Sequence, residues 1–589
     1  MGAIKFLKER PKLTVALIFL FLGLALYGNS FANQFFWDDD DSIVNNAYIK
    51  DWSNFPKFWT ENLIAGSGQV TNYYRPVLLT SFSLDYQFFK LSPAGYHFTN
   101  TFLHILNAWL LFFLLIKIID YYRGRDNKNY VLAFLPALFF LIHPLQTEAV
   151  TYVAGRADPL SVLFGLLSVI LYFDYRRERN LWKIGFSLGL FVLAILSKEQ
   201  AFLFAGLLGL IELCFLIKKK KDWLAAIYAL LLFALIMIIY LGLRFTLLNF
   251  NDLLRGFNYA PGYNQSLYVR LLTFTRVFVE FVKLLFAPLG LHMAREVAPI
   301  TSIFRWPVAW FFALLTLGIY GGVKTWEKNR LVAFGLAWFL LILLPRTNIL
   351  AINRPMYEHW LYFAMPGFWL SLAALGDMAS SKADRLSQKS KPIVLGSIII
   401  AFGIFLSVLT VLRNIDWHDP ITFYEKNLRY TPLSFIQHNN LGMAYANAGR
   451  LDEATREYRR AIEISDSYPQ VHSNLANTLK SRGQTSEAII EYERALVLSP
   501  AFSIPYSNLL AIYIEEKNKT KAYEVLKRAQ SELGVNENTL YLAGVTYYNF
   551  KDYGRAIESF RNILKINPSD AGIQILIEEV KIKKEAERK

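Results

Sequence analysis

Residues 13–46 read LTVALIFLFLGLALYGNSFANQFFWDDDDSIVNN: an uncharged apolar run from Leu13 to Tyr27, then four consecutive aspartates, Asp38 to Asp41. The run is of the length that begins a bilayer crossing. It follows Lys5, Lys8, Arg10 and Lys12, as a cleaved leader would. With no small-x-small cleavage site and many further apolar runs behind it, it reads as an uncleaved first span. Four carboxylates beside a membrane raise one another's pKa and lose solvation. They persist only where solvated, paired, or used on a cation, a proton or a polar substrate.

The rest of the chain extends this reading. At 589 residues it is too long for one core, and 54% hydrophobic residues with positive mean hydropathy describe a polytopic membrane protein. The net charge of +15 is concentrated in short loops such as Lys218 to Lys221 and nearly cancels after Thr431. That is a positive-inside pattern, and without a basic stripe interleaved with aromatics it excludes nucleic acid as a partner. The one cysteine, Cys214, excludes an intramolecular disulfide framework and a cysteine-rich metal site.

Eleven runs are long enough to cross a bilayer, at about 13–30, 100–119, 131–147, 158–175, 182–197, 201–217, 223–243, 306–323, 331–347, 358–376 and 393–413. With the N-terminus in the cytoplasm, the loops carrying Arg123 to Lys128, Arg176 to Arg179, Lys218 to Lys221, Lys324 to Arg330 and Lys382 to Lys391 all fall inside. A further candidate, Leu271 to Leu291, would invert everything after it. It carries Arg276, Glu280 and Lys283 at helical spacing and reads as interfacial or re-entrant. The first loop, 31–99, is then extracytoplasmic, as are the loops around 143–159, 197–200, 244–269 and 345–357.

After the membrane domain, 1–430, a 34-residue period sets in over 431–570. Gly442, Ala476, Leu510 and Gly544 are in register, as are Ala454, Ala488, Ala522 and Ala556, and Tyr458, Tyr492, Leu526 and Phe560. Small residues at two helix crossings and a wedge between units are the tetratricopeptide pattern, here four repeats with 571–589 as a capping helix and tail. The expected fold class is all-α: about eleven transmembrane helices followed by an α-solenoid.

The candidate chemistry lies in the extracytoplasmic loops. Asp38 and Asp39 stand just after a span, where a carboxylate can take a proton from an acceptor hydroxyl. The acids are consecutive, not alternating, so they do not match a calcium loop, and metal dependence stays open. Arg75, in Tyr74-Arg75-Pro76, is a fixed cation suited to a phosphate or a carboxylate. His143, Glu148, Arg156 and Asp158 fall within sixteen residues between two spans, and ionisable groups there are functional candidates. Lys198 and Glu199 occupy a tight turn. The loop with Arg346, Asn353, Arg354, Glu358, His359 and Tyr362 could hold a lipid-linked phosphate and stabilise its charge as it leaves. No Gly-rich phosphate loop, His-Glu-x-x-His or Gly-x-Ser-x-Gly occurs, so nucleotide hydrolysis, zinc proteolysis and serine hydrolysis have no residues to carry them.

Several of these motifs together resemble a known family. Asp38 to Asn46, Tyr74-Arg75-Pro76, His143-Pro144 with Thr147-Glu148-Ala149-Val150, Gly155-Arg156-Ala157-Asp158, Lys198-Glu199 and Glu358 to Phe368 occur in the order of the transmembrane and tetratricopeptide-repeat O-mannosyltransferases. The resemblance implies a C-type glycosyltransferase fold and an acidic catalytic pair that maps onto Asp38 and Asp39. It also implies a polyprenyl- or dolichyl-phosphate sugar as donor substrate, with a serine or threonine on an extracytoplasmic protein as acceptor. Asp40 and Asp41 depart from the pattern and leave open which aspartate is the base. Four repeats, fewer than in animal members, suggest a prokaryotic relative, hence the plasma membrane, or the endoplasmic reticulum in a eukaryote. The reaction expected is inverting transfer of a hexose such as mannose, its phosphate leaving toward Arg75, Arg156 or Arg354. His143 and His359 are further donors, Glu148 and Glu358 orient the sugar or the basic groups, and the repeats grip the acceptor polypeptide. The rivals are transfer to a glycan or lipid, and a non-catalytic membrane scaffold or transporter.

Overall fold

Within a bilayer an apolar run must satisfy its own backbone N–H and C=O groups, which an α-helix does. In the computed structural model each expected span contains a helix, though not every one is long or straight enough to cross. The structure describes residues 10–248, 266–293, 295–349, 354–381 and 391–587, and among these there is no strand. Lys5 and Lys8, Asn353, residues 249–265 of the Arg244 to Val269 loop, and all but the last residue of the Lys382 to Lys391 loop lie outside the described residues.

The chain divides into two compact units, Met1–Phe423 and Tyr424–Lys589. The first holds α1 (Pro11–Tyr27), α2 (Pro76–Phe89), α3 (Pro93–Arg123), α4 (Asn127–Ile142), α5 (Ala157–Glu178), α6 (Leu181–Ser197), α7 (Leu203–Ile211), α8 (Lys220–Phe245), α9 (Leu267–Phe286), α10 (Trp306–Thr325), α11 (Arg330–Leu343), α12 (Met365–Ser381) and α13 (Lys391–Asp416), with short helical turns between. Proline opens α1, α2, α3 and α10, where its missing N–H has no intrahelical partner to lose.

Among the described residues eight helical segments are long and apolar enough to cross a membrane, nine if a bent pair counts as one, against eleven expected. The bent pair is the expected span 131–147. There α4 stops at Ile142 and the chain turns by 55° at His143-Pro144, because proline cannot continue the ladder. The other two, α6 and α12, are each 17 residues long. Residues 358–361 of the expected span 358–376 form a separate 3₁₀ turn ahead of α12. The Leu271 to Leu291 segment is helical as far as Phe286, within α9, which buries Val277, Phe281 and Leu284 and leaves Arg276 and Lys283 exposed.

The core is built on α3, 31 residues or about 46 Å at ~1.5 Å per residue. Helices α1, α4 and α5 pack around it and bury Leu110, Leu111, Leu114, Leu115, Ile118 and Ile119. Helices α11 and α12 cross at glycines. A Cβ on Gly367 would lie 2.6 Å from the Gly335 carbonyl oxygen and 2.9 Å from the Phe339 nitrogen. Only small residues allow backbones this close, as in other membrane crossings. By contrast α8, α10 and α13 turn Leu235, Ile238, Phe312, Leu317, Ile398 and Ile404 outward, which suits lipid and not water.

The second unit pairs α14 (Phe435–Asn447) with α15 (Leu451–Ile464), α16 (Pro469–Ser481) with α17 (Thr485–Leu498), α18 (Ser503–Glu515) with α19 (Lys519–Leu533), and α20 (Glu537–Asn549) with α21 (Tyr553–Ile566); α22 (Ala571–Ala586) covers the end. The in-register residues prove to be one contact: a Cβ on Gly442 would meet the Tyr458 ring at 2.7 Å, and one on Gly544 would meet Phe560.

Candidate active site

The acidic run is aimed by the residue before it. Trp37 has φ of 62°, the left-handed region that a bulky residue rarely occupies. Its ring stacks on Tyr152 at 5.3 Å, and Tyr152 stacks on Trp417 at 5.6 Å, so packing holds the strained turn. Beyond it neighbouring aspartates separate. Asp39 is 1% exposed; its Oδ1 accepts the Ala154 N–H at 2.8 Å and its Oδ2 the Phe36 N–H at 3.4 Å. Asp38 is exposed to solvent and takes a hydrogen bond from Tyr152. Burial raises the pKa of Asp39, and the crowd of protein atoms around Asp38 raises that of Asp38 although it keeps access to solvent; the neighbouring carboxylates add to both, Asp41 for Asp38 and Asp38 and Asp40 for Asp39. Further along, Ile43 is fully buried, and Asn46 caps a short helix by accepting the Tyr48 N–H at 3.1 Å. The motif thus carries its own scaffold.

Asp38 feels one end of a chain of charged contacts that runs through four loops. Arg75, whose charge Asp38 feels, lies 4.5 Å over the Tyr73 ring and pairs with Glu199 at 3.4 Å. Glu199 also pairs with Arg244 at 3.2 Å. Lys198 grips Asp158 through both carboxylate oxygens, at 2.8 and 2.7 Å. Asp158 further sits among the charges of His359 and Arg346. His359 donates from Nδ1 to Glu148 at 2.7 Å, and its backbone N–H bonds the other oxygen at 3.0 Å, which fixes the ring. Glu358 is held by Arg295 at 3.0 Å, the His292 N–H at 2.8 Å and Arg413 at 3.7 Å.

Of the residues the sequence points to, Asp38, Arg75, Glu148, Asp158, Lys198, Glu199 and His359 are therefore gathered, with Asp39 and Glu358 directly behind. Arg354 is partly buried near Tyr357, whose hydroxyl also feels Asp38. Three others are not free to meet a ligand. His143 is fully buried, donating from Nε2 to the Leu285 carbonyl at 3.1 Å and accepting the Leu145 N–H at 3.3 Å, so it clamps the bend after α4. Arg156 is fully buried against Asp85 at 2.5 Å, Asn100 and the Tyr96 carbonyl. Tyr362 is interior, its hydroxyl bonded to His104 at 2.9 Å and Asn107 at 3.3 Å. Residues the sequence did not single out include Asp85, Arg244, Arg295, Arg413 and Tyr152. Their signal was charge or a phenol at the end of an apolar run. Among the described residues no three of His, Cys, Asp and Glu gather as metal ligands.

An accessible carboxylate facing fixed cations can accept a proton from a hydroxyl while the cations hold a departing anion. A model described as TPR repeat matches residues 442–480, and one described as Tetratricopeptide repeat matches 538–570. Protein O-mannosyl-transferase F38B6.6 of Caenorhabditis elegans is 27% identical over 465 residues, 77% of this chain and 63% of that protein. The chain resembles the protein O-mannosyl-transferases. Protein O-mannosyl-transferase TMTC4 of Mus musculus is 24% identical over 76% of this chain and 66% of its own length. TMTC1 of Mus musculus reaches 34% over 152 residues, 25% of this chain and 15% of its own. The chain spans just under two thirds of the length of the first of these relatives.

Proposed function

We propose that this membrane protein transfers a hexose, mannose in keeping with its relatives' names, from a polyprenyl- or dolichyl-phosphate donor to a serine or threonine of an extracytoplasmic protein. The observation that carries this reading is the division of the aspartates: Asp39 is occupied by two backbone N–H groups, while Asp38 is exposed, carries a raised pKa and faces Arg75. Asp38 takes the hydroxyl proton as that oxygen attacks the anomeric carbon. The bond from that carbon to the phosphate oxygen breaks, and its electron pair leaves on the lipid monophosphate. The product has inverted configuration. Arg75 and Lys198 supply positive charge on the leaving side, and His359, fixed by Glu148, faces the same group of charges. The cytoplasmic N-terminus and extracytoplasmic solenoid follow from the distribution of basic loops, and the solenoid offers a concave surface to the acceptor polypeptide.

The test is glycopeptide mass spectrometry in cells carrying wild type, Asp38→Asn or Asp39→Asn, with protein level and insertion checked. Loss of the base should remove at least about 10²-fold of transfer in Asp38→Asn at normal protein level. Asp39→Asn should act mainly by lowering the amount of folded protein. Intact glycopeptides in Asp38→Asn cells would overturn the assignment.

A further inference from the structure

Six arginines are buried among the described residues: Arg156, Arg176, Arg244, Arg295, Arg346 and Arg413. Five have a carboxylate at ion-pair distance: Asp85, Glu212, Glu199, Glu358 and Asp416. Arg346, 7% exposed, has none among the described residues, and its Nε is sealed off without an acceptor. Its guanidinium lies 4.3 Å over the Trp360 ring. The opposite charge acting on it is that of Asp158, whose two oxygens are already taken by Lys198. A buried guanidinium without a carboxylate in direct contact is costly, as the loss of one partner from a buried ion pair shows. Arginine is also the side chain whose planar fork fits phosphate. It sits in the group of charges that includes His359 and Asp158, and Asp158 acts in turn on Arg75, whose charge the proposed base feels.

We infer that Arg346, stacked on Trp360, is the subsite for the donor's phosphate, and that the ligand supplies the direct anionic partner its guanidinium lacks. This rests on the lipid-phosphate reading above. Arg75 and Arg156, equally plausible from sequence, each already hold a carboxylate at ion-pair distance, Asp85 for Arg156 and, for Arg75, a Glu199 that it shares with Arg244. With the sugar gone the phosphate gains a second negative charge, so Arg346 holds the product lipid phosphate more tightly than the donor. The product is then an inhibitor that competes with it.

The experiment follows thermal unfolding of the full chain in phosphatidylcholine nanodiscs with citronellyl phosphate, a short isoprenoid monophosphate, or with inorganic phosphate, for wild type, Arg346→Met and Arg346→Lys. Citronellyl phosphate should raise the wild-type Tm. Arg346→Met, which removes an uncompensated charge, should unfold at a higher temperature than wild type without ligand and lose the ligand response. Should that variant not fold, Arg346→Lys should bind citronellyl phosphate roughly tenfold or more weakly. Equal response in wild type and variants overturns the inference. An equal Arg346-dependent shift from inorganic phosphate, or from phosphatidylglycerol placed in the nanodisc, overturns the assignment to the isoprenoid donor. Undiminished sugar transfer by Arg346→Met removes the subsite and leaves the transferase reading standing. Arg346-dependent binding with no transfer from any lipid-phosphate hexose does the reverse.

Discussion

Asp38 and Asp39 are adjacent in the chain and opposite in circumstance. Asp39 is closed in by the Ala154 amide, 115 positions away, while Asp38 stays open to solvent. The pair was legible in the sequence as charge out of place beside a span; the division within it was not, since it depends on that distant amide. The division has a pH consequence. The surrounding protein atoms, which thin its solvation, and Asp41 both raise the pKa of Asp38, and only its ionised form is a base. Transfer, measured as kcat/KM, should therefore rise with pH along a limb lying above the ordinary carboxylate range. Asp41→Asn removes a like charge and should move that limb to lower pH; an unmoved limb would mean another group titrates. His143, Arg156 and Tyr362 show where the same reasoning overreached. An ionisable group at membrane depth signals function only if its partner is unknown, and here the partners, the Leu285 carbonyl, Asp85 and His104, come from other helices.

Helices were read well wherever one pattern repeats. The solenoid declared itself because glycine or alanine and an aromatic recur together at one spacing, and those are the residues that touch. The bend at His143-Pro144 was read as part of a straight span, because hydropathy averages over the proline that breaks it. The crossing of α11 and α12 had no sequence signal beyond two isolated glycines, yet it positions both the turn carrying Arg346 and the one carrying His359. Gly367→Val would place methyl groups where the Gly335 carbonyl and Phe339 amide now lie. It should destabilise the first unit by about 1–3 kcal/mol, seen as a lower Tm in nanodiscs. Transfer should fall even in the fraction that inserts, as both turns move apart. A variant with unchanged Tm and transfer would show that the helices can separate freely.

On the scale of the whole molecule the fold class and order of segments were legible, since both follow from hydropathy and period, while the number of crossings depends on helices that geometry shortens or breaks. The orientation is open to a direct measurement. If α9 does not cross, the loop with Lys324, Lys328 and Arg330 lies in the cytoplasm, so Lys328→Cys should resist membrane-impermeant maleimides in intact cells and react after permeabilisation. Ready labelling in intact cells would make α9 a span. The experiment is clean because the chain's only native thiol, Cys214, is buried in the first unit. That one sealed sulfur makes the natural protein its own spectroscopic background. Spin labels at two exposed valines, Val70 in the first unit and Val535 in the solenoid, would report a distance distribution with no native cysteine to remove. Its narrowing on addition of acceptor peptide would register substrate capture as motion.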